Sequence, residues 1–124
     1  MTKTPTILHV CNREMLRPLR DEVLRVNGFQ VESTAEAGAA LKRLAQKDFD
    51  LIMIDLESEQ RIPEAEALCA DVKTANPNQL VAFVCNYRVA LQTDCPDEIL
   101  RTEFDPAAFA QGVRDIVTPN HRPN

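Results

Sequence analysis

Asp48-Phe49-Asp50-Leu51-Ile52-Met53-Ile54-Asp55-Leu56-Glu57 is the stretch on which the fold turns. From Leu51 to Leu56 it is apolar but for Asp55. A run this short, rich in branched aliphatics and bounded by polar residues, predicts a strand buried on both faces. A carboxylate closing such a strand needs a reason, because an unpaired charge in an apolar sheet is costly or shifts its pKa. The pattern places Asp55 at the carboxyl end of a central strand, facing the crevice where open α/β sheets hold ligands and chemistry.

Working outward, Thr6-Ile7-Leu8-His9-Val10-Cys11 is a second short apolar run and predicts the first strand. Leu16, Leu19, Val23 and Val26 then recur at three and four residues, which predicts a helix with these side chains inward. Asn27-Gly28 supplies its left-handed end, and Pro18 requires the helix to begin near Met15 or Leu16 or to kink there. Phe29 to Ser33 alternates as a second strand. Ser33 with Glu36 fits a capping box, opening a helix with Ala37, Ala40, Leu41 and Leu44 inward.

Beyond Asp55, the residues Ile62, Ala65, Leu68, Cys69 and Val72 mark a third helix stopped by Asn76-Pro77. Leu80 to Cys85 predicts a fourth buried strand. The stretch from Asn86 to Pro96 holds at most a two-turn helix around Arg88 to Leu91, and Ile99-Leu100 predicts a short fifth strand. Asp105-Pro106 is an N-cap followed by proline at the first helical position, with Phe109, Val113 and Ile116 inward. Thr118 to Asn124 reads as a frayed tail. Strands alternating with helices through short connections predict a parallel sheet covered on both faces. The expectation is a single α/β domain over residues 1–124, a three-layer doubly wound sandwich with its core in about 6–117.

Composition narrows the function classes. With 44% hydrophobic and 27% charged residues, the chain is globular rather than disordered. A net charge of −5 and no Lys/Arg block argue against nucleic acid or an anionic membrane as partner. No apolar run approaches a membrane span, and the N-terminus lacks a signal-peptide core, so a cytoplasmic location is expected. The four cysteines, Cys11, Cys69, Cys85 and Cys95, form no CxxC pair and read as reduced thiols. His9, in the middle of a central strand, reads as a hydrogen-bonded core residue, and His121, in the tail, as without a role.

Read in order, several pieces carry a family resemblance: Ile7-Leu8-His9-Val10 before a polar loop, Asn27-Gly28-Phe29-Gln30-Val31, Ala37-Gly38-Ala39-Ala40-Leu41, Asp50 to Leu56, and Phe104-Asp105-Pro106. The chain resembles the receiver domain of two-component response regulators. That resemblance implies a flavodoxin-like, five-stranded parallel sheet in the order 2-1-3-4-5. It implies that Asp55 is the phosphoacceptor, attacking a phosphoryl group with Mg²⁺ spreading the charge. The supporting residues depart from the family pattern. Cys11 and Asn12 stand where the family has an acidic pair, Cys85 where it has a hydroxyl, and Thr102-Glu103 where it has lysine-proline. Ile99 replaces its switch aromatic. The interval from Cys85 to Thr102 is shorter than the family's, which implies a shortened fourth helix and an altered output surface.

The resemblance therefore implies a degenerate acceptor pocket of Cys11, Asn12, Arg13, Glu57, Cys85 and Thr102 around Asp55. Any Mg²⁺ site uses Asn12, Asp55 and Glu57 and is weakened, since charges about 4 Å apart interact by roughly 1 to 4 kcal/mol. Arg13 is placed to lay its guanidinium on Asp55 in the missing lysine's stead. The preferred reading is a non-enzymatic signalling module that contacts a histidine kinase, another signalling protein or a second copy of itself. A working phosphoacceptor with an unconventional Mg²⁺ site is one alternative. A redox or soft-metal sensor using Cys11 and Cys85 is the other. Asp55 as a plain strand-end acid remains the bland counterpart of all three.

Overall fold

A computed structural model gives the structure of the chain and describes residues 4–102 and 105–118. Glu103, Phe104, His121 and the tail beyond Thr118 lie outside the described residues. The expected alternation is present: β1 (Thr6–Val10), α1 (Leu16–Val26), β2 (Gln30–Thr34), α2 (Ala37–Gln46) and β3 (Leu51–Asp55), then a 3₁₀ turn (Glu59–Arg61) leading into α3 (Ile62–Ala75). After these come β4 (Val81–Cys85), β5 (Glu98–Arg101) and α4 (Pro106–Val117). The strands form one parallel sheet in the order β2-β1-β3-β4-β5. Among the described residues no helix is long and apolar enough to cross a membrane.

The two-residue period of a strand sorts its side chains onto the two faces of the sheet. Leu8, Val10, Ile52, Ile54 and Phe83 pack under α2 and α3 with Ala40, Leu68 and Val72. Ile7, Leu51, Met53, Ala82 and Val84 pack under α1 and α4 with Leu24, Phe109, Val113 and Ile116. The same alternation sends His9, two after Ile7, and Asp55, two after Met53, toward α1 and α4. This parity brings the site together.

Several local expectations hold. Gly28 takes a left-handed φ of +93° after α1, and Asp105 caps α4 by accepting from the Ala108 N–H at 3.1 Å. The inward faces of α3 and α4 are those expected. Others fail for physical reasons. No capping box forms: Ser33 lies in β2 and hydrogen-bonds Asp21, while Glu36 at the start of α2 makes no side-chain cap.

The shortened fourth helix is absent altogether, since the described residues 86–97 hold only turns and bends. This loop is pinned instead. Arg101 Nη1 donates to the carbonyls of Asn86 and Val89 at 3.2 and 2.8 Å, and Glu59 accepts from the Ala90 N–H at 3.0 Å. A disulfide joins Cys69 of α3 to Cys95, so the four thiols expected to be reduced are two, Cys11 and Cys85.

Helix α1 gives the largest correction. Of the stripe expected to face inward, Leu19 is 64% and Val26 71% exposed, while Asp21 and Leu24 are buried. The inner face is Arg17, Arg20, Asp21 and Leu24, a second set at helical spacing. Exposing a Leu or Val forgoes roughly 1.5 to 3 kcal/mol each. A buried charge left without its partner costs roughly 3 to 5 kcal/mol. The inner face supplies two such partners, Asp21 for His9 and Arg20 for Asp55, and their sum sets the helix's rotation.

Candidate functional site

Asp55 closes β3, and its side chain is only 2% exposed. Two cations of the chain share its Oδ2: His9 Nε2 at 3.2 Å and Arg20 Nε at 3.3 Å. His9 is fully buried, and its Nδ1 donates to Asp21 Oδ1 at 2.8 Å. Burial of the imidazole works against its proton, but hydrogen bonds to Asp21, Asp55 and Cys11, with the charge on Asp55, prevail and raise its pKa to about 10. Burial pushes Asp21 upward, yet its bonds to His9 and Ser33 and the nearby charges of His9 and Arg25 hold it below the usual carboxylate range. At neutral pH the centre is thus an imidazolium between two carboxylates, with a guanidinium on the outer one. Its charges sum to zero.

The residues singled out in the sequence fall around this quartet unevenly. Cys11 is buried directly after β1, and its Sγ, a His9 ring nitrogen and an Asp55 oxygen lie within 4.8 Å of one another. Asn12 is exposed and shares a cavity of about 70 Å³ with Asp55. Arg13 does not reach Asp55; it pairs with Glu57 at 3.5 Å, and Arg61 takes the other Glu57 oxygen at 3.4 Å. Arg20 holds the place expected of Arg13. Cys85 belongs to the core cluster on the α3 face, so it does not stand as a pair with Cys11; burial raises its thiol pKa. Thr102 is 5% exposed, and its hydroxyl has no hydrogen-bond partner among the described residues.

Sequence reasoning passed over Arg20 and Asp21 and took His9 for core alone. The usable signal was a histidine in an otherwise apolar strand. Such a ring needs an acceptor on the covering helix, and Asp21 on the 17/20/21/24 face is one.

A Mg²⁺ ion, which the resemblance implies, does not fit these residues. Magnesium takes oxygen ligands in near-octahedral geometry and holds on to its waters. Here a thiol stands beside Asp55, the Asp55 carboxylate is neutralised by His9 and Arg20, and Glu57 is committed to two arginines. The donor set of His9, Cys11 and Asp55 is that of a softer ion such as Zn²⁺, but the His9 proton and Arg20 hold the same lone pairs.

No family model matches the sequence, and no curated protein sequence matches it. Solved structures do resemble the fold. The Thermotoga maritima response regulator TrrA in complex with Mg²⁺-BeF is 19% identical, with a TM-score of 0.76 over 91% of this chain and 99% of that one. TrrA in complex with the histidine kinase ThkA gives 18% identity and a TM-score of 0.77, over 93% of this chain and 100% of that one. A CheY-like receiver domain from Methylobacillus flagellatus gives 19% and 0.75, over 92% of this chain and 99% of that one. The chain has the CheY-like receiver fold.

Proposed function

We propose that this chain is a receiver-like module of two-component signalling whose Asp55 does not serve as a phosphate acceptor, and that it acts in the cytoplasm by contact with signalling proteins, a histidine kinase among them. The observation that carries this reading is the state of Asp55: a side chain 2% exposed, with one oxygen shared by His9 and Arg20. A carboxylate nucleophile needs a free oxygen and a metal to relieve charge repulsion with the phosphoryl group. In the quartet Asp55 Oδ2 is already held by two cations, the side chain is buried, and the neighbouring His9, Cys11 and Arg20 do not make a site for Mg²⁺. The hydroxyl and lysine of the family pattern are also replaced, and losing one such transition-state donor typically costs about 10² to 10³ in rate.

Likeness to a regulator solved with its kinase supports the partner class. Met15 just before α1, Val26 at its end and Tyr87 on the 86–97 loop are exposed apolar side chains suited to a protein contact. The test is incubation with acetyl phosphate and Mg²⁺, read by intact mass, for wild type and Asp55→Asn. No phosphorylated species in either is expected. Robust labelling of the wild type that disappears in the variant overturns the reading and favours the unconventional phosphoacceptor.

A further inference from the structure

A cleft of about 430 Å³ opens between α1, α4 and the start of the 86–97 loop, with Arg20, the ion-pair partner of Asp55, in its lining. One wall is apolar, formed by Leu16, Leu19 and Val23 with the ring of Phe109. The rest of the lining is cationic and polar, with Arg13, Arg20 and Arg88 beside Asn86 and Thr102. Three guanidiniums around one cleft are unexpected in a chain of net charge −5. Among the described residues of the lining the acid is Asp105, already used as the cap of α4. The size and the mix of apolar wall with a few polar groups are those of a small-molecule site.

Two further atoms point to a ligand. Arg20 Nη1 and Thr102 Oγ1 are both buried, and neither has a hydrogen-bond partner among the described residues. Buried polar groups are nearly always partnered, so each exception calls for a reason. Arg20 spends its Nε on Asp55 and stacks its guanidinium over Phe109 at 5.0 Å, which leaves Nη1 unclaimed. Thr102 spends its backbone N–H on the Cys85 carbonyl and leaves its hydroxyl unclaimed. Both residues line the cleft.

We propose that this cleft binds a small aromatic phosphate ester. The phosphate takes the free Arg20 Nη1, the Thr102 hydroxyl and the Arg88 guanidinium, and the flat body lies against Phe109, Leu16 and Val23. Phosphate is favoured because its terminal oxygens can take donors converging from two guanidiniums and a hydroxyl at once, and the arginine fork matches them. Because Arg20 serves Asp55 with one nitrogen and the cleft with another, a ligand here is felt at Asp55 without any phosphoryl transfer. This site goes beyond the signalling reading and stands or falls separately from it.

Phenyl phosphate, inorganic phosphate and phenol, titrated separately into the full chain and followed by ¹H–¹⁵N NMR, test it. Phenyl phosphate is expected to give saturable shifts at the Leu16, Asn86 and Thr102 amides, with at least tenfold higher affinity than either fragment. Arg88→Gln, an exposed change, is expected to weaken it about tenfold. Thr102→Val is expected to weaken it as well while leaving the protein at least as stable, since it removes a buried unpaired hydroxyl. Absence of saturable shifts overturns the proposal, as does binding of phenol alone with equal affinity, or phenyl phosphate binding that neither substitution changes.

Discussion

Helices α1 and α4 cover the same face of the sheet, yet they pack by opposite means. Helix α4 buries the stripe its periodicity announces: Phe109, Val113 and Ile116. Helix α1 has an equally regular stripe and leaves much of it in water, presenting Arg20 and Asp21 to the sheet instead. The difference lies in what each helix meets. Under α4 the strands offer aliphatic carbon. Under α1 they offer His9 and Asp55, and a buried charge without a partner outweighs an exposed leucine. A helix's apolar moment predicts its rotation only over an apolar floor.

The largest effect is expected where that ionic floor is broken. Asp21→Ala leaves the buried His9 with one carboxylate and should cost roughly 3 to 5 kcal/mol in urea unfolding. On α4, Ile116→Ala should cost roughly 2 to 5 kcal/mol by cavity formation alone, with no added pH dependence.

Smaller, and specific to the α1 side, is the alkaline limb of stability. His9 binds its proton more tightly in the fold than in the unfolded chain, with a pKa raised from 6.5 to about 10. Its contribution is therefore complete below about pH 6.5 and lost as pH rises through about 10. Asp21, lowered by the same contact, contributes above the usual carboxylate range and loses that contribution as pH falls through its depressed value. Imidazole ¹⁵N shifts should show His9 protonated at pH 8; a midpoint near the ordinary histidine value would contradict the quartet.

The smallest effect sharpens the contrast. Leu19→Ala, on the stripe that looks like core, should change unfolding free energy by less than about 0.5 kcal/mol. A loss of the size expected for Ile116→Ala would mean that α1 packs as its periodicity suggests.

What could be read from the chain alone follows the same line. The strands, the site of Asp55 and the inward faces of α3 and α4 come from short-range patterns of apolar residues, while the strand order came only with the family resemblance. The acceptor's neighbours do not. His9 finds Asp21 twelve residues away and Asp55 forty-six away, and hydropathy is silent about which buried polar groups will meet. Arg13 was the arginine nearest the crevice in sequence, but a loop residue has no fixed direction, whereas Arg20 is aimed by its helix. The Cys69 to Cys95 disulfide spans a separation of 26 and has no spacing signature. The expected fourth helix failed because the loop found other partners, the Arg101 side chain and Glu59 among them.

The most direct measurement is a Mg²⁺ titration of the protein followed by ¹H–¹⁵N NMR at the amides of Asp55, Glu57 and Asn12. With His9 and Arg20 already neutralising the carboxylates, no saturable shift is expected through low millimolar Mg²⁺. Saturable binding centred on Asp55 would show its carboxylate to be free, and the self-neutralised quartet would be wrong.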